Sequence, residues 1–390
     1  MLQSEGVVPF GVRVMIWCNR ISGFWLPIPA SPWRRLLLLA FESLVLIANA
    51  LSFLAHIVRI HTDKIDFIVY MLGIASLMKY AYIVCASTFL LLYKKQVEQI
   101  FKDAQNLLKN RQFYYYQMSV LNRTSKRLIV YLSLPILLFF VIQMFLATNS
   151  ARILRLSKMP NVTSEEDKFV ESILRNDGTT LDYSLIILTF TTNVLTQFKA
   201  IALDAMFLGL LSFVSEQLGV LKITLHEAIL VGPSPSYKRT DLDAWLNFQY
   251  RLARLTGKIN ATWSFLVVVL FFCTALTLCS LSYSAVKLSP LGIVTYVIIA
   301  HGLISVLPLF LYCHAGQNLR TQGEALAEMA FRGPWLHMKP ALMPGVLLLA
   351  LDCSRSFVAR GGPFFTLSLE FFASVVGAVL TYLVVLLQMK

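Results

Sequence analysis

Residues 363–389 read PFFTLSLEFFASVVGAVLTYLVVLLQM. Charged residues are absent between Glu370 and Lys390, while an amide, Gln388, sits near the end of the run. About 20 apolar residues make a helix long enough to cross a hydrocarbon core. Thr381, Val385 and Gln388 are spaced i, i+4, i+7 and share one helical face. Leu383, Val384, Leu386 and Leu387 cover the other faces, and Ala373, Ser374, Gly377 and Ala378 upstream permit close helix approach. Two readings are open. The polar-edged stripe hydrogen-bonds a neighbouring helix of the same chain, or several copies surround an axis and line a water-filled pore.

The rest of the chain is of the same character. Of its 390 residues 57% are apolar and only 14% charged. That leaves too little polar surface to cover a soluble domain of this size, so lipid is the expected solvent. Seven apolar stretches are long enough to span: 36–58, 67–92, 128–148, 183–214, 261–285, 289–313 and 363–389. The fourth runs on into a segment with Lys199 and Asp204 that looks half in water. A shorter apolar piece, 341–352, reads as a half-helix broken at Arg360-Gly361-Gly362-Pro363 before the seventh span resumes. The first run lacks a small-residue cleavage site and is expected to be a retained span. Trp17, Trp25 and Trp33 before it suit a stretch lying at the membrane surface. Neither end shows a lipidation motif.

Orientation follows from the basic residues. With the N-terminus cytosolic, the inner segments are 1–35, 93–127, 215–260 and 314–360, and they hold 23 of the 34 Lys and Arg. Counting acids as well, the inner side carries +13 and the outer side +1. The positive-inside rule therefore predicts the N-terminus inside and the C-terminus outside. Asn161-Val162-Thr163 is a glycosylation sequon, and it falls in the loop 149–182 that this topology puts outside.

Other classes fit poorly. The G-protein-coupled receptors have seven spans in the opposite orientation. Their acidic-Arg-Tyr triplet after the third span and Asn-Pro-x-x-Tyr in the seventh are absent. The six histidines (His56, His61, His226, His301, His314, His337) pair with no nucleophile or carboxylate at a meaningful spacing, so no enzyme is expected. Six scattered cysteines form no CxxC and no zinc spacing, and no cofactor or metal is expected. The intramembrane charges Glu42, Lys79, Asp204 and Glu370 do not fall in matched halves, as a transporter built from repeats would require.

Two stretches carry a resemblance. Thr381-Tyr382, five apolar residues and then Gln388 close the chain as gustatory members of the insect chemoreceptor superfamily and the odorant coreceptor Orco do, although Met389 replaces the usual Phe. GPFFTLSLEFFASVVGAVLTYLVVLLQMK (362–390) is closely similar to the last helix of Orco, and YCHAGQNLRTQGEALAEMAFRGPW (312–335) resembles the odorant-receptor pattern ending in Trp335. Lys79 sits where many odorant receptors carry a lysine. The long cytosolic insertion of Orco before the fifth span is missing here. The chain therefore resembles an odour-tuning insect odorant receptor subunit. A gustatory receptor of the same superfamily is the alternative, and Trp335 argues against it. A seven-span receptor coupled to a cytosolic transducer is the alternative from another class.

The resemblance implies an all-α seven-transmembrane helix bundle with a split seventh helix, N-terminus cytosolic and C-terminus extracellular. Its parts would be a cytosolic segment 1–35, helices one to four in 36–214, and a cytosolic loop and anchor helix in 215–260. Helices five and six would follow in 261–313, an anchor segment with the half-helix in 314–362, and a pore-lining helix in 363–390. The anchor expectation is supported by WLNFQYRLARLTGKINATW (245–263), which runs amphipathic into the fifth span. The implied function is an odour-gated, nonselective cation channel, a heterotetramer with Orco in the plasma membrane of olfactory neuron dendrites, with no nucleic-acid partner. Val385 would be the hydrophobic constriction, Gln388 a polar ring just outside it, and Thr381 on the same face. Odour would bind in the outer half of the membrane. Candidates there are Ile74, Leu77 and Met78, then Phe139, Phe140, Gln143 and Met144. Thr189, Thr192 and Asn193 on the fourth span, with Tyr283 and Tyr296, would complete the site. Gln143 and Asn193 are the expected orienting polar groups.

Overall fold

The computed structural model describes residues 67–108, 122–138, 180–225, 239–287, 293–332 and 357–388, with isolated positions 33, 36, 40, 43, 44, 47, 51, 54, 140, 347 and 353. The elements are α1 (Phe67–Leu92), α2 (Lys94–Leu108), α3 (122–138), α4 (Thr180–Leu225), α5 (Arg239–Lys287) and α6 (Ile293–Phe331). A two-stranded hairpin of β1 (Arg360–Gly361) and β2 (Phe365–Thr366) then precedes α7 (Leu369–Gln388).

The architecture is helical, and helix length separates two regions. At about 1.5 Å per residue, α7 is about 30 Å long and matches a hydrocarbon core. The 46 residues of α4 and 49 of α5 give about 69 and 74 Å, so both must project well beyond one. The projecting ends pack together. Phe207, Leu211 and Leu218 of α4 meet Trp245, Leu252 and Ile259 of α5 and Leu319 and Leu326 of α6 in one large core. A small second cluster, Ala75, Leu281 and Ile298, marks the opposite end of the bundle.

α2 belongs to the projecting region. Its sequence is amphipathic, and Val97, Ile100, Ala104 and Leu107 are buried at helical spacing. It bends 74° from α1 at a break around Tyr93. Among the described residues four helices are long and apolar enough to cross a membrane. They are Gln197–Leu225, Trp245–Val286, Ile298–Phe331 and Leu369–Gln388, and the bent pair of α1 and α2 makes a fifth.

α1 has the expected bounds of the second span, and 245–263 runs into the fifth span as one helix. The fourth run extends to Leu225 rather than ending at 214, because no proline interrupts it. The seventh starts at Leu369, not 363. Residues 360–366 form the hairpin, Gly362 takes a positive φ of 62° in its turn, and the Ser368 hydroxyl accepts from the Phe371 N–H at 3.1 Å as an N-cap. The 341–352 half-helix, most of the first span and the C-terminal part of the third lie outside the described residues.

Candidate functional site

The interior of the bundle is built from matching stripes. α4 contributes Gln197, Ala200, Ile201 and Asp204, spaced i, i+3, i+4, i+7, and α5 contributes Leu270, Cys273, Thr274 and Thr277 at the same spacing. α1 adds Lys79, Tyr82 and Ile83, and α3 adds Pro135 and Leu138. α6 closes the set with Ile304, Ser305, Leu307 and Pro308. These faces enclose a cavity in which about 80 Å³ is open to the centre of a water-sized sphere. The full envelope is larger by a water radius on every side. One water needs only about 10–15 Å³ by this measure, so there is room for a small organic molecule.

Two walls carry proline. Pro308 lies inside α6 and offers no N–H, which frees the carbonyl of Ile304 on the cavity wall. The hydroxyls of Ser305 and Thr277 donate to their own helices, to His301 O at 2.9 Å and Cys273 O at 2.7 Å. They are thereby spent on backbone rather than offered to the cavity.

Asp204 is the polar hub. Tyr82 Oη of α1 donates to Asp204 Oδ1 at 3.1 Å, and Tyr312 Oη of α6 donates to the same oxygen at 2.7 Å. All three side chains are buried. A carboxylate removed from water needs such donors, and hydrogen bonds to a charge contribute about 1.5–3 kcal/mol each. The cluster ties three helices together. Tyr312 continues into the aromatic core, 4.8 Å from Phe207, which stacks 6.0 Å from Trp263.

From there a packed path leads to α7. Gly316, one turn beyond Tyr312, lies so close to the chain before α7 that a β-carbon would sit 2.5 Å from the carbonyl oxygen of Leu367. Asn260 of α5 holds the same segment by its main chain, donating to Val358 O at 2.7 Å and accepting from the Arg360 N–H at 3.3 Å. The Gly362 N–H donates to Ser264 Oγ. Phe365 stacks on Phe371 at 4.2 Å, with Phe271 of α5 5.3 Å from both, and Phe310 of α6 meets Phe372 at 5.3 Å. The root of α7 is thus fixed to α5 and α6, while the rest is bare. Thr381, Val385 and Gln388 are exposed, and the Thr381 hydroxyl donates to its own helix at Gly377 O.

Of the candidate ligand residues, the five whose side chains are described, Ile74, Leu77, Met78, Phe140 and Tyr283, are not among those lining this cavity. Ile74, Leu77 and Met78 are half-buried on α1, within five residues before Lys79, and Tyr283 is half-buried on α5. Phe140 is exposed and meets Phe198 edge-on at 6.3 Å. Thr189, Thr192, Asn193 and Tyr296 lie on α4 and α6, but their side chains are outside the described residues, as are Phe139, Gln143, Met144 and the sequon Asn161. The sequence marks Lys79 and Asp204 only as intramembrane charges. Their spacing to Tyr82 and Gln197 is the signal that would have joined them.

The comparisons agree with this architecture. The family model described as 7tm Odorant receptor matches residues 177–380, more than half of the chain. The odorant receptor coreceptor of Aedes aegypti is 28% identical over 152 residues, 39% of this chain and 32% of that protein. The coreceptor of Drosophila melanogaster is 26% identical over 152 residues, 39% of this chain and 31% of that protein. The chain thus matches about a third of the length of these relatives. The solved structure of the insect olfactory receptor OR5 from Machilis hrabei superposes with a TM-score of 0.78 at 18% identity, covering 97% of this chain and 98% of that one. Its complex with eugenol gives 0.78 at 17% identity, with 98% and 100% covered. The fold is therefore the all-α seven-transmembrane bundle of that receptor, in a multi-pass membrane protein that is no enzyme. The chain belongs to the seven-transmembrane odorant receptor family.

Proposed function

We propose that this chain is an odour-tuning subunit that binds a small volatile within its bundle and gates a nonselective cation channel assembled with the coreceptor. One observation carries the reading. α7 carries no charge beyond Glu370 and is long and apolar enough to cross a membrane, yet over its 18-residue apolar stretch only 6% is buried, while its root is locked to helices α5 and α6 that wall the cavity. A helix so placed senses the bundle at one end and offers its length to other subunits and to a pore. The eugenol complex of the structurally similar receptor supports a small organic ligand for this one.

In this reading α7 lines the pore of a heterotetramer. Val385, 47% exposed here, forms the constriction and Gln388 a polar ring beside it. An apolar ring stops ions by dewetting, and slight dilation rehydrates it. The N-terminus lies in the cytosol, the C-terminus outside, and Asn161 is available for glycosylation. The projecting ends of α4, α5 and α6 with α2 form the cytosolic anchor. The binding site begins at the outer-half residues, among them Ile74, Met78, Gln143 and Asn193, and reaches inward to the cavity at Asp204. A ligand opens the channel by binding the open state more tightly. A tenfold shift in the gating equilibrium requires only about 1.4 kcal/mol of difference.

The test is whole-cell current under an odorant panel, with and without the coreceptor, for the native chain, Val385→Ala and Gln388→Ala. Odour-evoked cation current that requires the coreceptor and changes conductance in the two variants is expected. A response abolished by blocking G-protein signalling would overturn the channel.

A further inference from the structure

We infer that the cavity selects a neutral volatile bearing a hydroxyl group, held between Lys79 and Asp204. This rests on the reading of the cavity as the odorant site. Lys79 lines it from α1 and has neither a hydrogen bond nor an ion pair among the described residues. Asp204 lines it from α4. Both tyrosines donate to its Oδ1, so Oδ2 has no hydrogen bond among the described residues. Among the described residues the two groups form no ion pair with each other within 4 Å, although they share the cavity. Gln197, one face-repeat from Asp204 on the same helix, likewise has no hydrogen bond among the described residues.

The chemistry of these groups narrows the ligand. An ammonium donates and a carboxylate oxygen accepts. A hydrocarbon would leave Lys79 and Asp204 Oδ2 unsatisfied, and an ether or aldehyde would satisfy the donor alone. A carboxylate ligand would face Asp204 and an amine would face Lys79, each against a like charge. A hydroxyl is neutral, accepts from Lys79 and donates to Asp204 Oδ2. Of the other hydroxyls on the wall, those of Ser305 and Thr277 are committed to their helices, whereas Thr274 has no hydrogen bond among the described residues and is open to the same ligand group. The apolar body of the ligand then lies against Ile83, Leu138, Ile201 and Leu270. A site that hydrogen-bonds a hydroxyl rejects the analogue lacking it far more strongly than it rejects a change of one methylene.

The test uses the purified full chain in lipid nanodiscs and three probes of equal heavy-atom count: 1-hexanol, methyl pentyl ether and heptane. Each is titrated against the thermal-unfolding midpoint, which rises when a ligand binds the folded state. Hexanol is expected to act at a concentration about tenfold or more below the other two. Lys79→Met and Asp204→Asn should each bring hexanol to within about twofold of the ether. Ala200→Trp, which fills the cavity, should remove the response to all three. Equal action of the three probes on the native chain would overturn the hydroxyl selectivity and leave the cavity as a binding site. A hexanol advantage that survives both Lys79→Met and Asp204→Asn would overturn the assignment to those residues. Shifts that persist in Ala200→Trp, or no shift with any probe, would overturn the cavity itself.

Discussion

The stretch Gln197–Leu225 and the helix Leu369–Gln388 are both long and apolar enough to cross a membrane, yet over an 18-residue apolar stretch of each, 89% of the first is buried and 6% of the second. Both sequences demand apolar neighbours, but only one obtains them from its own chain. The consequence shows in their polar residues. On α4, Asp204 is held by two tyrosines, Ser215 by Asn318 at 2.8 Å and Glu216 by Arg127 at 2.8 Å. On α7 the only buried side chain is Val375, and the hydroxyls of Ser374 and Thr381 bond their own helix. A central helix finds partners for most of its polar groups within the chain, though the buried Gln217 amide of α4 has none among the described residues. A peripheral helix is free to keep Gln388 for whatever comes to surround it.

The largest expected effect tests that contrast directly. Leu211 is 0% exposed in the centre of the core, and Leu387 is 52% exposed. Leu211→Ala should cost about 3 kcal/mol, from lost burial plus the cavity it leaves. Leu387→Ala should cost under about 0.5 kcal/mol in the isolated chain. Unfolding midpoints of the purified protein in detergent measure both. If Leu387→Ala proves as costly once the coreceptor is co-purified, α7 is buried by the partner. If the two are equal without it, the contrast fails.

A middle effect belongs to the joint between the two regions. Gly316→Ala forces a β-carbon to within 2.5 Å of the Leu367 carbonyl, a rigid backbone atom, so α6 and the root of α7 must part. Overpacking of this kind costs about 1–3 kcal/mol. The joint is also the route from Tyr312 to α7, so the variant should shift the odour dose–response curve besides lowering the midpoint. A lower midpoint with an unchanged curve would mean that the joint is structural only.

The contrast was only half legible in the sequence. Apolar runs without breakers gave α1 its full bounds and made α5 one helix across 245–263. They could not tell where a run leaves lipid, because α4 continues through Ser212, Ser215 and Glu216 with no residue that stops a helix. Nor could they separate hairpin from helix at 363–368, where Phe364, Phe365 and Leu367 look like more of the span. The decisive features there are the positive φ of Gly362 and the cap at Ser368. The cavity was hidden for a different reason. An i, i+3, i+4, i+7 stripe such as Gln197 to Asp204 has the same pattern whether it packs a core or lines a void. Only the meeting of five helices decides, and that information is not local.

The smallest effect concerns what holds α2 in the projecting region. Lys258 Nζ of α5 lies 2.6 Å from Asp103 Oδ2 of α2, with side chains 36% and 27% exposed, and Gln99 also donates to Asp103 at 3.0 Å. A partly solvated pair loses most of its attraction to screening and to the entropy of two long side chains, so Lys258→Met should cost under about 1 kcal/mol. The difference should shrink further in high salt. The three larger buried residues of α2, Val97, Ile100 and Leu107, weigh far more, since each such side chain removed from water contributes about 1.5–3 kcal/mol. The pair then acts on register: α2 is amphipathic and alone could rotate slightly on α5, whereas one charge contact favours a single setting. Exchanging the partners as Lys258→Asp with Asp103→Lys should recover most of the midpoint lost in either single variant. A loss above about 2 kcal/mol in Lys258→Met would make electrostatics, rather than apolar burial, the main tie between α2 and the core.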